Sequence, residues 1–306
     1  MKKIFKKREY QFDFMKQSKF GYALSVLMLV ISLVSLMTRG LNYGIDFEGG
    51  VQIEASSSEV IKMDEVRHNL NFLRGLTIQS LVGTEGKSIL ILAQPDETLN
   101  SNQLLDKIKS TLGPTYSYQK VEIIGPAIGK ELKDKSLLAS ILALLAITIY
   151  IWFRFEWPFA VGCLLALAHD MIVVLGVFSL FQLEFNMVVV AGLLSFAGYD
   201  CNDSIVTYDR IREYLKKYRK MPVPELLNKG INETLSRTIL TSLTTLFVVL
   251  VLLFFGGEAL FGFSLVMTLG TILGTYSSIY LAVPILQYFD IKKLGDKAFV
   301  EPDFNK

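Results

Sequence analysis

The sequence predicts an all-α membrane bundle of six helices carrying an α+β, ferredoxin-like domain on its outer side, and three observations point to it. Of 306 residues, 51% are apolar and 20% charged, with a positive mean hydropathy, which is the composition of a membrane protein. The apolar residues gather in blocks at 20–37, 136–153, 159–181, 185–208, 238–255 and 261–289. Each is near the roughly 20 residues that cross about 30 Å of hydrocarbon. Between the first and second blocks, 38–135 is mixed in polarity and long enough to fold as a domain in water.

The first block follows Lys2, Lys3, Lys6, Lys7 and Arg8. A secretion signal also begins this way, but here the basic segment is long and the apolar run is of spanning length. No small-x-small cleavage pattern follows Met37, so 20–37 is read as an anchor. Basic residues recur in 209–237, at Arg210, Arg212, Lys216, Lys217, Arg219 and Lys220, while the short connections 181–185 and 256–261 contain neither Lys nor Arg. The positive-inside rule puts the segments 1–19 and 209–237 in the cytoplasm and 38–135 outside. Both termini are then cytoplasmic, with 136–289 forming the other five helices and 290–306 an inner tail. Topology alone accounts for the basic loops, so the lipid bilayer is an expected partner and nucleic acid is not.

Within 38–135, alternation from Val51 onward predicts a strand and the spacing of 63–73 a helix. Strands at 78–82 and 88–93 flank a turn at 83–86. Ser101 is placed to cap a helix bearing Leu104, Leu105, Ile108 and Leu112, which stops at Gly113-Pro114, and 118–124 is a last strand. Strand, helix, strand, strand, helix, strand is the ferredoxin-like order. GIDFEGG, at 44–50, has glycines at both ends. Its two acids would repel phosphate, so the glycines are read as allowing positive φ where the chain turns from membrane into sheet. His68, beside Arg67 and Asn69, is read as an exposed polar residue. No nucleophile–base set and no metal-ligand spacing is visible, so an enzyme is not expected.

The second and third blocks form a hairpin through 154–158, with Pro158 suited to a first helical turn. His169 and Asp170 fall near the middle of the third block, as candidates for lining a proton pathway or for an interhelical hydrogen bond. In the fourth, Asp200 and Asp203 stand inside an apolar run. A charged Asp at a membrane centre costs about 2.5–3.5 kcal/mol, so such groups face a bundle interior and often carry protons or ions. Three positions apart, the two acids share a helical face with Ser204 and Thr207. Asp209 and Arg210 are read as surface charges, and Cys163 and Cys201 as buried small residues with no disulfide. Arg237 opens the fifth block, followed by Thr238, Thr241, Ser242, Thr244 and Thr245, either as an interfacial anchor or as part of an inward polar face. Gly192, Gly198, Gly270 and Gly274 are placed for close helix packing, and Pro284 for a kink in the last block.

Taken in order, GIDFEGG at 44–50, HD at 169–170, GYDCNDSIVTYDRIRE at 198–213 and INETLSRTILTSLTTL at 231–246 resemble the SecF subunits of the SecD-SecF protein-export complex. These belong to the resistance-nodulation-division superfamily. The resemblance covers nearly the whole chain and implies half of such a transporter, the other six helices coming from a SecD-like subunit. It implies a place in the bacterial cytoplasmic (inner) membrane beside the SecY-SecE-SecG channel. There the proton-motive force would help unfolded preprotein leave on the outer side, with protons as the coupling ion and no cofactor. Carried residue by residue, the proton-coupling acid falls at Asp203 and the coupling arginine at Arg237. Asp200 departs from the family motif, which usually has a small hydroxyl residue there, so no role is carried to it from the family; beside His169 and Asp170 it is a candidate for the proton pathway, either retuning the proton site or contacting water there. Two carboxylates on one face are expected to titrate as a coupled pair. Two alternatives predict different features. A scaffold stabilising the translocon would tolerate paired neutral replacements, whereas an exporter of small molecules or lipids would need two six-helix halves, and this chain has one.

Overall fold

The computed structural model describes residues 12–73, 75–81, 84–94 and 100–292. The basic residues at 2–8, Val82 at the end of one expected strand, Gly83 of the expected turn and the tail 293–306 lie outside the described residues.

Helix α1, Phe14–Arg39, is capped by Asp13, which accepts the Lys16 N–H at 3.1 Å. Its amphipathicity is inverted relative to a soluble helix. Ser18, Gly21, Ser25, Ser32 and Ser35 are buried, while Val26, Leu27, Val30 and Val34 are exposed. In hydrocarbon nothing drives apolar side chains inward, and small residues let backbones approach.

After α1 the chain runs through β1 (Asn42–Tyr43) and a single helical turn, α2 (Ile45–Glu48), then enters the α+β unit. That unit consists of β2 (Gly50–Ser56), α3 (Met63–Asn69), β3 (Thr77–Ser80), β4 (Ser88–Ala93), α4 (Ser101–Leu112) and β5 (Ser117–Ile124). The expected order of elements is therefore present. All pairings in the four-stranded sheet are antiparallel, in the order β3-β4-β2-β5. Val51, Ile53 and Ala55 alternate into a core shared with Ile89 and Ile91 of β4 and with Leu104 and Ile108 of α4. Two boundaries differ from expectation. The cap of α4 is Asn100, which exchanges side-chain bonds with Gln103 as a capping box, and Ser101 is the first helical residue. Helix α3 ends at Asn69, yet Leu70 and Leu73 still reach the core from the turn that follows.

The bundle adds α5 (Pro126–Arg154), α6 (Trp157–Leu180), a short β6 (Glu184–Phe185), α7 (Met187–Lys217), α8 (Val223–Phe255) and α9 (Glu258–Ser277). A wide π turn at Ser278–Ala282 and a tighter 3₁₀ turn at Pro284–Tyr288 follow, so the last span departs from the α-helix near Pro284. Among the described residues five helical segments are long and apolar enough to cross a membrane: α1, α5, α6, α8 and the segment 259–288. Helix α7 is as long but falls short in apolarity because Asp200, Asn202 and Asp203 interrupt it. Over half of the apolar window of α6 is buried (56%), against 11% in α5 and 17% in α8, so α6 is the central post. The outer faces of α5 and α8 are open to lipid or to a partner.

At the end of the bundle away from the α+β unit, Arg154 pairs with Asp209 and Arg212 with Glu156, each at 3.0 Å. Arg210 pairs with Glu213 and with Glu233 of α8. Asp209 and Arg210, expected to be plain surface charges, thus join helices, although each half-exposed pair adds little stability.

Candidate functional site

Helix α7 begins under the α+β unit. Asn186 caps it through the Val189 N–H at 3.1 Å, and Asp46 of α2 accepts the Met187 N–H at 2.9 Å. Negative charge at a helix N-terminus is favourable. The same junction is held by the parallel pairing of β1 with β6, Asn42 opposite Glu184 and Tyr43 opposite Phe185. Gly49 has φ +80°, the positive value expected in GIDFEGG, and its backbone lies against Pro126 at the start of α5. Gly44 has an ordinary φ of −75° and serves a different need, since a Cβ there would lie 2.6 Å from Glu184 Oε1.

Three turns or more into the helix, the 3.6-residue period turns Asp200, Asp203, Ser204 and Thr207 to the buried side. Asp200 is 5% exposed and Asp203 8%. Asp203 accepts from Thr241 Oγ1 at 3.3 Å and from Ser242 Oγ at 3.4 Å, both on α8. Ser242 in turn accepts from Thr275 Oγ1 of α9 at 2.7 Å. Thr207 and Thr234 extend the polar seam between α7 and α8 at 3.1 Å. Among the described residues Asp203 makes no close ion pair. Arg237, one helical turn before Thr241, is exposed on α8 and acts on Asp203 electrostatically from beyond contact. The inward orientation considered for Arg237 is therefore not adopted within this chain, while the hydroxyls that follow it do turn inward at Thr238 and Ser242.

A second group of polar residues lies deeper, between α6, α7 and α9. His169 Nδ1 bonds Asp170 Oδ1 at 2.7 Å and Ser277 donates to Asp170 Oδ2, while Asp200 Oδ1 lies against Gly274 on the same turn of α9, so the two acids converge there. His169 and Asp170 are 3% and 0% exposed. Cys163 and Cys201 are free and buried near this group.

The seam between α7 and α9 is set by glycines. A Cβ on Gly192 would lie 3.2 Å from Phe263 and Val266, one on Gly270 would collide with the Phe196 ring, and one on Gly274 with Asp200 Oδ1. Gly198 differs. It lies on the exposed side of α7, where a Cβ would meet nothing within 4 Å, so among the described residues it packs against no helix.

Some site residues were not singled out in the sequence. Thr275 and Ser277 come from α9, where Thr271, Thr275 and Ser278 recur at helical spacing in an apolar block, a readable polar stripe. Ser18, Ser25 and Ser32, a strict seven-residue repeat, mark the face of α1 on which Ser25 meets Tyr276 at 3.0 Å. Asp46 carried no signal, because its partner is a backbone N–H distant in sequence.

Comparison with known proteins gives concordant matches. The family model described as protein export membrane protein SecD/SecF, C-terminal, matches residues 104–292, and the SecD/SecF GG motif matches 34–58. Protein translocase subunit SecF of Rickettsia felis is 41% identical over 94% of this chain and 94% of its own length. The Rickettsia bellii SecF is 42% identical over 92% and 94%. The crystal structure of SecDF, a translocon-associated membrane protein from Thermus thermophilus, superposes with a TM-score of 0.78 at 36% identity over 90% of this chain. SecDF in its super-membrane-facing form gives 0.70 at 35% over 94%. This chain covers 38% and 40% of those two SecDF chains.

Proposed function

The chain belongs to the SecF family of protein translocase subunits, and on that premise we propose that it couples the proton-motive force to preprotein export, with Asp203 as the proton-carrying group. It is a multi-pass membrane protein, and its relatives are named as translocase subunits. In this reading the membrane is the bacterial inner membrane, both termini are cytoplasmic, α7 is the fourth of six spans, and the α+β unit is a ferredoxin-like domain on the outer side. A SecD-like subunit supplies the other half. The coverage of the SecDF chains, near two fifths, supports that division. The subunit works beside the SecY-SecE-SecG channel on unfolded preprotein, and its role is not enzymatic.

The observation that carries the reading is the setting of Asp203. It is a buried carboxylate held by hydroxyls alone, with Arg237 within electrostatic reach but out of contact. Such a group can exchange a proton without breaking a tight ion pair. Protonation removes its attraction to Arg237 and alters how α7 packs on α8. The Asp46 and β1–β6 contacts then give that movement a route to the α+β unit. One elementary charge crossing 100 mV supplies about 2.3 kcal/mol, enough to bias two conformations of similar energy. Export by Asp203→Asn/Arg237→Met, assembled with the SecD-like subunit, separates this from a scaffold. A scaffold tolerates the paired neutral change, while proton coupling is lost with it.

A further inference from the structure

Asp170 of α6 and Asp200 of α7, both out of water, converge on one turn of α9, Asp170 on the Ser277 hydroxyl and Asp200 against Gly274. Their surroundings are unequal. Asp170 has a partner at each oxygen, His169 Nδ1 on one and the Ser277 hydroxyl on the other. Among the described residues, Asp200 Oδ1 is fully buried and has no hydrogen-bond partner, and it rests where Gly274 lacks a side chain. A buried carboxylate oxygen with no donor is a costly group to leave so. Two buried carboxylates brought to one helical turn repel when both are ionised, and one proton shared between them relieves that repulsion. The other titratable and charged groups facing the pair do not remove the need. His169 and Cys163 come from α6, Cys201 and Asp203 from α7, and Tyr276 from α9, while Arg237 of α8 lies beyond Asp203. His169 is already engaged through Nδ1 by Asp170.

We infer that Asp170 and Asp200 form a single proton-holding pair, in which the Asp200 carboxyl donates to Asp170, and that this proton is carried in addition to any held by Asp203. The seat of the pair is built by Gly274, whose missing Cβ leaves room for Asp200, and by the Ser277 hydroxyl, which fixes the accepting carboxylate. The chain then has two protonation centres one helical turn apart on α7. This pair stands whether or not Asp203 drives export.

The test is infrared spectroscopy of the full chain assembled with its SecD-like subunit in lipid vesicles, reading the C=O stretch of protonated carboxyl groups and its shift in heavy water at neutral pH. The expected result is a band present in the native protein and in Asp203→Asn, and lost in both Asp170→Asn and Asp200→Asn. Asp200→Ser removes the same carboxyl by a second route and should lose the band likewise. Gly274→Ala, which crowds Asp200 Oδ1, should shift the band without abolishing it. A native protein with no such band, or a band that survives removal of either aspartate, overturns the pair. Export assays on the same samples report separately on Asp203, so failure of one reading does not imply failure of the other.

Discussion

The carboxylate of Asp46 accepts the backbone N–H of Met187 at 2.9 Å, so the loop beneath the α+β unit holds the first turn of the helix that carries Asp200 and Asp203. Loss of a capping acceptor typically costs about 1 kcal/mol. Asp46→Ala should lower the melting temperature modestly and reduce gradient-dependent export, while Asp46→Asn, which keeps an acceptor oxygen, should retain most of both. Equal loss in the two variants would show that charge, not the hydrogen bond, is what matters.

Arg237 is exposed and makes no close ion pair among the described residues. Its removal should therefore leave stability within about 0.5 kcal/mol, as for surface substitutions away from structural features. Arg237→Met should melt like the native chain in detergent yet lose gradient-dependent export. A large fall in melting temperature would assign it a structural role instead.

Two glycines should respond in opposite ways. A Cβ at Gly176 of α6 would collide with Ser32 of α1, so Gly176→Ala should destabilise that contact by about 1–3 kcal/mol through overpacking. At Gly198 nothing lies within 4 Å, and Gly198→Ala should be neutral or gain up to about 1 kcal/mol from helix propensity. Thermal melts of the two variants in the same detergent make the comparison.

Ahead of the apolar stretch of α5, Lys135 bonds Glu131 at 2.6 Å and holds its carboxyl below the ordinary value of 4.5. The sign follows from linkage. A depressed carboxylate contributes stability that is present above 4.5 and is lost as pH falls through its lower folded value. The pair is exposed, so the effect is small and salt-sensitive. Hydrogen exchange in the first turns of α5 should quicken on acidification in the native chain, and Lys135→Gln should weaken that pH dependence.

Much of the architecture was legible because membrane and sheet impose strong patterns. The apolar blocks fall in long helices, five of them apolar enough to cross a membrane among the described residues, and the alternation at Val51, Ile53 and Ala55 located the sheet core. The block at 185–208 was expected to be a span, but α7 falls short in apolarity because Asp200, Asn202 and Asp203 interrupt it. The inward face of those acids was readable from helical spacing. Their partners were not, because Ser242, Thr275 and Ser277 reach them through tertiary packing from two other helices. For Arg237 the sequence left an interfacial anchor and an inward face both open, and the structure exposes it, while Gly198 looked like Gly192 until their surroundings differed.

The most direct test of the central claim is the rate of preprotein export in vesicles containing the full chain and its SecD-like subunit, with and without a proton gradient, for the native protein and Asp203→Asn. The account predicts that Asp203→Asn assembles normally, keeps its gradient-independent rate and shows no acceleration by the gradient. Native acceleration in Asp203→Asn would contradict it.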